Sequence, residues 1–184
     1  MAQTLSNMMP LGTRAPGFSL PDTVSGKTLS LESLKGGKGT VVLFICNHCP
    51  YVKHINAELV RVAREYQPRG IAFVAISSND VANYPDDAPD KMQCAARDLG
   101  YTFPYLYDES QDVARAFQAA CTPDLFVFDA ALSCVYRGQF DESRPGKGAA
   151  TGRDLRVALD AVVSGKPVSA DQKPSVGCNI KWKR

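Results

Sequence analysis

The sequence predicts an α/β chain: a central mixed β-sheet flanked by helices, with a β-hairpin added at one end and a tail at the other. Two observations carry this. The runs 40–45 and 71–76 are apolar throughout and rich in β-branched residues, as in strands buried on both faces. Between and after them, apolar residues recur at helical spacing, so strands and amphipathic helices alternate.

Residues 1–12 carry no pattern and are expected to form a flexible arm. The alternating stretches 18–20 and 28–31 flank a Gly-containing turn and predict a hairpin. After strand 40–45, Pro50 opens a helix with Val52, Ile55, Leu59, Val62, Ala63 and Tyr66 on one face; Pro68 and Gly70 stop it. Strand 71–76 leads into a polar connection, 77–89, and a shorter helix with Met92, Ala95, Ala96 and Leu99 inward. Pro104 marks 103–107 as a short edge strand. Asp108 and Gln111 predict a capping box for a helix carrying Val113, Ala116 and Phe117. Strands are expected at 125–128 and 132–140. A last helix, capped by Thr151 and Asp154, follows with Leu155, Ala158, Leu159, Val162 and Val163 inward. One domain spans 13–168, and the tail 169–184 is expected to pack on it.

The chain has 184 residues, 21 basic and 19 acidic, for a net charge of +2. That size suits one domain, and that balance gives no electrostatic case for nucleic acid or an acidic membrane. No apolar run approaches the roughly 18 residues of a membrane span. Residues 1–7 lack the basic and apolar regions of a signal peptide, so a reducing cytoplasm is the expected setting. Six cysteines there point to reactive or metal-binding thiols rather than a disulfide framework.

Two of them form the string Cys46-Asn47-His48-Cys49-Pro50, where the first buried strand hands over to the amphipathic helix. Cys46 is expected at or just before the helix N-terminus, whose free N–H groups and dipole favour a thiolate. Cys49 then lies about one turn in, within reach for a small disulfide ring. A protonated His48 would favour the thiolate further. The arrangement suits reversible dithiol–disulfide exchange. The competing reading is half a zinc site, but no second Cys-x-x-Cys partner exists; Cys94, Cys121, Cys134 and Cys178 are isolated.

The chain resembles the thioredoxin-like superfamily, within it the bacterial redoxin group of alkyl hydroperoxide reductase/thiol-specific antioxidant (AhpC/TSA) proteins. The resemblance rests on Ala15-Pro16-Gly17-Phe18, on Phe44-Ile45-Cys46-Asn47-His48-Cys49-Pro50-Tyr51-Val52-Lys53-His54, and on Cys121-Thr122-Pro123-Asp124-Leu125-Phe126. It continues through Tyr136-Arg137-Gly138, Asp141-Glu142-Ser143-Arg144-Pro145-Gly146 and Pro174-Ser175-Val176-Gly177-Cys178-Asn179-Ile180-Lys181-Trp182. It implies a thioredoxin fold and a thiol–disulfide oxidoreductase without bound cofactor or metal. Cys46 would be the attacking thiolate and Cys49 the resolving thiol, tuned by Asn47, His48 and Pro50. Thr122 would present backbone groups to an extended substrate peptide, with Pro123 as a cis-proline facing the pair. Implied partners are disulfide-containing proteins or small thiols, plus a thiol reductant or oxidant.

Asn47-His48 stands between the cysteines where thioredoxins carry Gly-Pro. The basic residue before Cys49 predicts a couple more oxidising than thioredoxin's, about −270 mV. Strand 40–45 offers no buried acid to assist Cys49. Peroxidase chemistry is the enzymatic alternative, but the family's Pro-x-x-x-Thr-x-x-Cys pattern is missing. Counted back from Cys49 its places hold Val42 and Cys46; from Cys46 they hold Gly39 and Leu43. A non-enzymatic metal-binding or redox-sensing module is the alternative of another class.

Cys121 precedes Thr122-Pro123 and is expected to pack near the pair or exchange with Cys46. Cys134 reads as a small buried hydrophobe and Cys94 as exposed. For Cys178 two readings stand: a tail docked for stability, or a tail folded back so that Cys178 is a third redox thiol or Trp182 covers the motif. His54 lies on the polar helix face, solvated and idle; its spacing also makes a Cys/Cys/His metal site conceivable. Arg137, Asp141 and Arg144 are expected to form an ion-pair cluster, and 146–148 is a loop without a phosphate-binding pattern.

Overall fold

The computed structural model describes residues 3–183. Its central sheet has the order β6-β5-β4-β8-β9. These strands are Tyr105–Tyr107, Ile71–Ser77, Gly39–Phe44, Asp124–Asp129 and Cys134–Tyr136, respectively. β4, β5 and β6 run parallel, while β8 pairs antiparallel with both β4 and β9. The sheet is therefore mixed. All six residues of β4 are buried, as its unbroken apolar run requires of a central strand covered on both faces.

Side-chain alternation divides the core in two. Val41 and Leu43 face α2 (Pro50–Tyr66), α3 (Pro89–Leu99) and α5 (Arg153–Val163). Val42 and Phe44 face the hairpin of β2 (Ser19–Pro21) and β3 (Thr28–Ser30), the short α1 (Leu31–Leu34) and α4 (Asp112–Ala116). Phe117, just past α4, centres this second layer, its ring 5.4–5.9 Å from those of Phe44, Phe126 and Phe128. Such aromatic pairs add roughly 0.5–1.5 kcal/mol each beyond their burial. No described helix is long and apolar enough to cross a membrane.

Helix α2 begins at Pro50, whose fixed φ and missing N–H suit the first turn. The six residues expected on its apolar face are all buried. It closes through a short turn at Gln67–Arg69 and Gly70, whose φ of +93° only glycine adopts readily.

Several local expectations need correction. The loose arm is ordered over Gln3–Leu5: this strand, β1, pairs antiparallel with β10 (Val176–Asn179), which in turn pairs with β7 (Cys121–Thr122). Residues 1–2 of that arm lie outside the described residues. Strand 132–140 shortens to Cys134–Tyr136, after which the chain turns and the Tyr136 hydroxyl donates to Gln139 O. Leu99 is exposed at the end of α3. Neither predicted capping box forms, although Asp108 and Thr151 each accept a first-turn N–H: the N-cap positions fall to Gln111 and Gly152. Gln111 takes a left-handed conformation, and Asp108 reaches forward to the Ala114 N–H at 2.9 Å. Gly152, also left-handed, precedes α5, and Asp141 accepts the N–H groups of Thr151 and Gly152. At α4 a carboxylate from outside the helix satisfies first-turn donors; at α5 Asp141 braces the turn before the helix, and Thr151 Oγ1 and Phe140 O take the Arg153 and Leu155 N–H groups.

Candidate active site

The chain leaves β4 through Ile45 and reaches Cys46; Cys49 is the N-cap residue of α2. Because Pro50 fixes the helix start, Cys49 rather than Cys46 takes the N-terminal position, which corrects the sequence reading. Both cysteines are buried, at 1% and 0% exposure, so the dithiol is closed off from solvent.

Facing them is the turn after β7, whose Thr122–Pro123 peptide bond is cis. Thr122 Oγ1 lies 3.4 Å from Cys46 Sγ, and Cys49 Sγ donates to Thr122 O at 3.1 Å. On the neighbouring strand Cys178 sits directly opposite Thr122. Its Sγ is 3.0 Å from Cys49 Sγ. The two members of one cross-strand pair thus meet the two sulfurs: Thr122 touches Cys46, and Cys178 touches Cys49. Strand β10 also occupies the backbone edge of Thr122 that the resemblance would give to a substrate peptide.

The 77–89 connection supplies the rest of the site. Asp87 is buried, and its Oδ1 accepts the N–H groups of Asn47 at 2.8 Å and His48 at 3.3 Å. Its Oδ2 lies 2.7 Å from His48 Nδ1 and accepts from Asn79 Nδ2 at 2.8 Å. Burial works to raise the Asp87 carboxyl, yet the hydrogen bonds from His48 and Asn79 hold it below its ordinary value. As an ionised carboxylate only accepts, Nδ1 of His48 carries the proton and points it at Asp87. Cys46 Sγ, 3.9 Å from the same nitrogen, is the weaker partner. His48 stacks on Tyr84, and its Nε2 is buried without a hydrogen-bond partner among the described residues. Asn47 closes the cover over the dithiol by donating to Asp86 O and accepting from the Tyr105 hydroxyl.

These surroundings separate the two thiols. The hydrogen bond with Cys49, then burial, then the Asp87 charge all push Cys46 up. The hydrogen bond from Cys46 outweighs burial and lowers Cys49 to about 4, with Cys178 and Thr122 assisting. Of the two thiols, Cys49 is the one held low and Cys46 the one pushed up. Burial and the contact with Cys49 raise Cys178 to about 12.

The AhpC/TSA family model matches residues 11–136, more than half of the chain. The chain belongs to the AhpC/TSA family. A solved structure described as an uncharacterized conserved protein from Geobacillus kaustophilus is 55% identical, with a TM-score of 0.98 over 100% of this chain and 97% of that one. A hypothetical protein from Sinorhizobium meliloti 1021 is 48% identical, with a TM-score of 0.95 over 98% of each. The thiol:disulfide interchange protein DsbE of Allochromatium vinosum is 29% identical over 119 residues, 63% of this chain. That match spans 59% of the curated relative, less than two thirds of its length. A putative thioredoxin from Neisseria meningitidis, 23% identical, superposes with a TM-score of 0.64 over 85% of this chain and 91% of that one, which shows the thioredoxin fold.

In this AhpC/TSA protein the other flagged residues scatter. Cys121 is buried one position before Thr122, but its Sγ donates to Pro123 O at 3.5 Å rather than to either motif sulfur. Burial raises its thiol. Cys134 is buried and Cys94 exposed, as expected. Trp182 does not cover the motif; its ring lies 5.1 Å from the Arg115 guanidinium. His54 is half-buried rather than solvated, its Nε2 2.8 Å from Ser143 Oγ, and among the described residues it does not gather with the cysteines as a metal-ligating group. Among the described residues the group that could hold a metal is instead Cys46, His48 and Asp87, with ligand atoms within 4.8 Å of one another. The hydrogen bond that His48 Nδ1 donates to Asp87 already uses the two atoms a cation there would need. The expected ion-pair cluster does not form: Arg144 donates to backbone oxygens and Gln139, Arg137 to Met9 O and Gln172.

Asp87 is the functional residue that sequence reasoning missed. It lies 38 positions beyond Cys49, inside Pro85-Asp86-Asp87-Ala88-Pro89, which reads as a polar turn before a helix. A carboxylate just before a Pro-initiated helix was the one available signal.

Proposed function

We propose that the protein is a thiol–disulfide oxidoreductase that exchanges a Cys46–Cys49 dithiol with the disulfides of proteins or small thiols. The observation that carries this reading is the sulfur pair held between the end of β4 and the start of α2 against the cis Thr122–Pro123 turn, with Cys46 Sγ 3.4 Å from Thr122 Oγ1 and Cys49 Sγ 3.1 Å from Thr122 O. Exchange needs a thiolate at ambient pH, and this site stabilises one. The similarity to the DsbE interchange protein supports the same chemistry.

In the proposed cycle the cover over Cys46 opens, and Cys46 passes its proton to the Cys49 thiolate. Cys46 then attacks a substrate disulfide, expelling one substrate thiolate and leaving a mixed disulfide. Cys49 gives up its proton and attacks Cys46 Sγ, which releases the second substrate thiol and leaves the Cys46–Cys49 disulfide. An external thiol restores the dithiol, and an oxidised partner runs the sequence backwards. A stabilised thiolate favours the reduced form, so the couple is more oxidising than thioredoxin's. A glutathione redox titration returning a value at or below about −270 mV overturns that part. The cytoplasmic setting expected from composition belongs to this proposal, and cell fractionation tests it.

Insulin-disulfide reduction with dithiothreitol separates the readings. We expect the wild type to accelerate it and Cys46→Ser to lose the effect. Equal rates would favour a metal-binding or redox-sensing module. Thiol-dependent peroxide consumption that Cys46→Ser abolishes, without insulin reduction, would favour a peroxidase.

A further inference from the structure

Four of the six cysteines gather at the dithiol end of the molecule, yet thiol–disulfide exchange by Cys46 and Cys49 uses two. Cys121 directs its sulfur to a backbone carbonyl. Cys178 directs its sulfur at Cys49, 3.0 Å away. A disulfide has an S–S distance of about 2.05 Å, so closing this contact to a bond takes about 1 Å of movement.

The placement is built. Strand β10 is paired on both edges, with Cys178 opposite Gln3 on β1 and opposite Thr122 on β7. At the preceding residue the backbones approach so closely that a Cβ on Gly177 would lie 2.0 Å from Thr122 O. Just beyond the strand, the Lys181 N–H donates to Asn79 Oδ1 at 2.8 Å, and Asn79 holds Asp87. The Asp80 N–H and the Gln111 side chain both donate to Lys181 O. The segment carrying Cys178 is thus clamped to the elements that carry Cys49, Thr122 and Asp87, and Cys178 is itself buried, at 3% exposure. A thiol held in contact with a redox-active sulfur, away from solvent, has the proximity that intramolecular exchange needs.

We propose that Cys178 is a third redox thiol that converts the Cys46–Cys49 disulfide into a Cys49–Cys178 disulfide and frees Cys46. The proposal rests on the oxidoreductase reading for the origin of the first disulfide. Cys178, as its thiolate, attacks Cys49 Sγ. The Cys49–Cys178 bond forms as the Cys46–Cys49 bond breaks, and the electron pair leaves on Cys46 Sγ. The proton lost by Cys178 ends on Cys46. One disulfide and one thiol are present before and after, so the step needs no further oxidant. Its consequence is an oxidised protein in which Cys46 is again a free thiol.

The test uses the full chain carrying Cys46→Ser, equilibrated with reduced and oxidised glutathione, acid-quenched, alkylated and mapped by mass spectrometry. The expected product is an intramolecular Cys49–Cys178 disulfide with Cys94, Cys121 and Cys134 alkylated. Adding Cys178→Ala removes that disulfide. Only a Cys49–glutathione adduct in Cys46→Ser, with Cys178 alkylated, overturns the proposal, as does an intramolecular disulfide that survives Cys178→Ala. Either result leaves the oxidoreductase reading intact if the wild type reduces insulin. Conversely, a Cys49–Cys178 disulfide in a protein without insulin-reducing activity sinks the oxidoreductase reading and, with it, the exchange from a Cys46–Cys49 disulfide.

Discussion

Asp87 Oδ2 accepts the Nδ1 proton of His48 at 2.7 Å, which turns the basic residue of the cysteine motif away from the sulfur it was expected to serve. The same carboxylate contributes to raising Cys46. Replacing it in Asp87→Asn removes a negative charge beside Cys46, so the pH profile of Cys46 alkylation by iodoacetamide should move to lower pH. A shift the other way contradicts this account. The substitution also weakens four hydrogen bonds to a buried carboxylate and should cost about 1–3 kcal/mol at pH 7. Asp87 is lowered in the folded state, so its stabilisation is present above the ordinary carboxyl value of 3.8 and is lost as pH falls below it. Urea denaturation should therefore find the two proteins closer in stability at pH 3 than at pH 7.

The second prediction concerns the charge on Cys49. Its low value depends first on the hydrogen bond from Cys46, with burial working against it. In Cys46→Ala that donor is gone while the burial remains. The thiolate absorbance of reduced Cys46→Ala near 240 nm should titrate in with a midpoint well above 4. An unchanged midpoint would mean that the contacts with Cys178 and Thr122 suffice.

Asp124, directly after the cis-proline, yields a prediction of the opposite sign to Asp87. Burial raises its carboxyl to about 6, and its Oδ1 has no hydrogen-bond partner among the described residues. A raised acid favours folding while protonated, so this contribution is full below about 3.8 and lost as pH rises through about 6. The rise from 3.8 to about 6 corresponds to a loss on the order of 3 kcal/mol over that window. Asp124→Asn should flatten this part of the stability profile. Denaturation of the oxidised protein at pH 4 and pH 6.5 measures it without titration of Cys49; an equally steep decline in the variant refutes the assignment.

What the sequence revealed depended on how locally each structure is encoded. β4, β5 and α2 were legible because their burial is written in adjacent residues: an unbroken apolar run, or Val52, Ile55 and Leu59 at helical spacing. β1 and β10 were not, because Gln3–Leu5 and Val176–Asn179 have weak strand patterns and are strands only through pairing with segments far away in the chain. The sulfur pair was readable from its spacing and its strand-to-helix position. Its partners were not: Asp87 meets His48 across 39 positions and Cys178 meets Cys49 across 129, and neither local pattern encodes those meetings. The capping boxes failed in part for the same reason, since Asp141, far from Thr151 in the chain, braces the turn before α5.

The closeness of β10 to β7 leads to the last prediction. Gly177 has an unremarkable φ, so backbone freedom is not what requires glycine there; the requirement is space. A Cβ would meet Thr122 O at 2.0 Å and Thr122 C at 2.6 Å, both backbone atoms that cannot rotate aside. In Gly177→Ala the strand must move away from β7, carrying Cys178 from Cys49 and uncovering the Thr122–Pro123 turn. Overpacking of this kind costs about 1–3 kcal/mol. The melting temperature should fall, and Cys178 should react with a thiol reagent under native conditions, where the wild type protects it. The Cys49–Cys178 disulfide should also become scarcer in a Cys46→Ser background, since the two sulfurs no longer start in contact. A variant with wild-type melting and a protected Cys178 would show that β10 docks without the close approach.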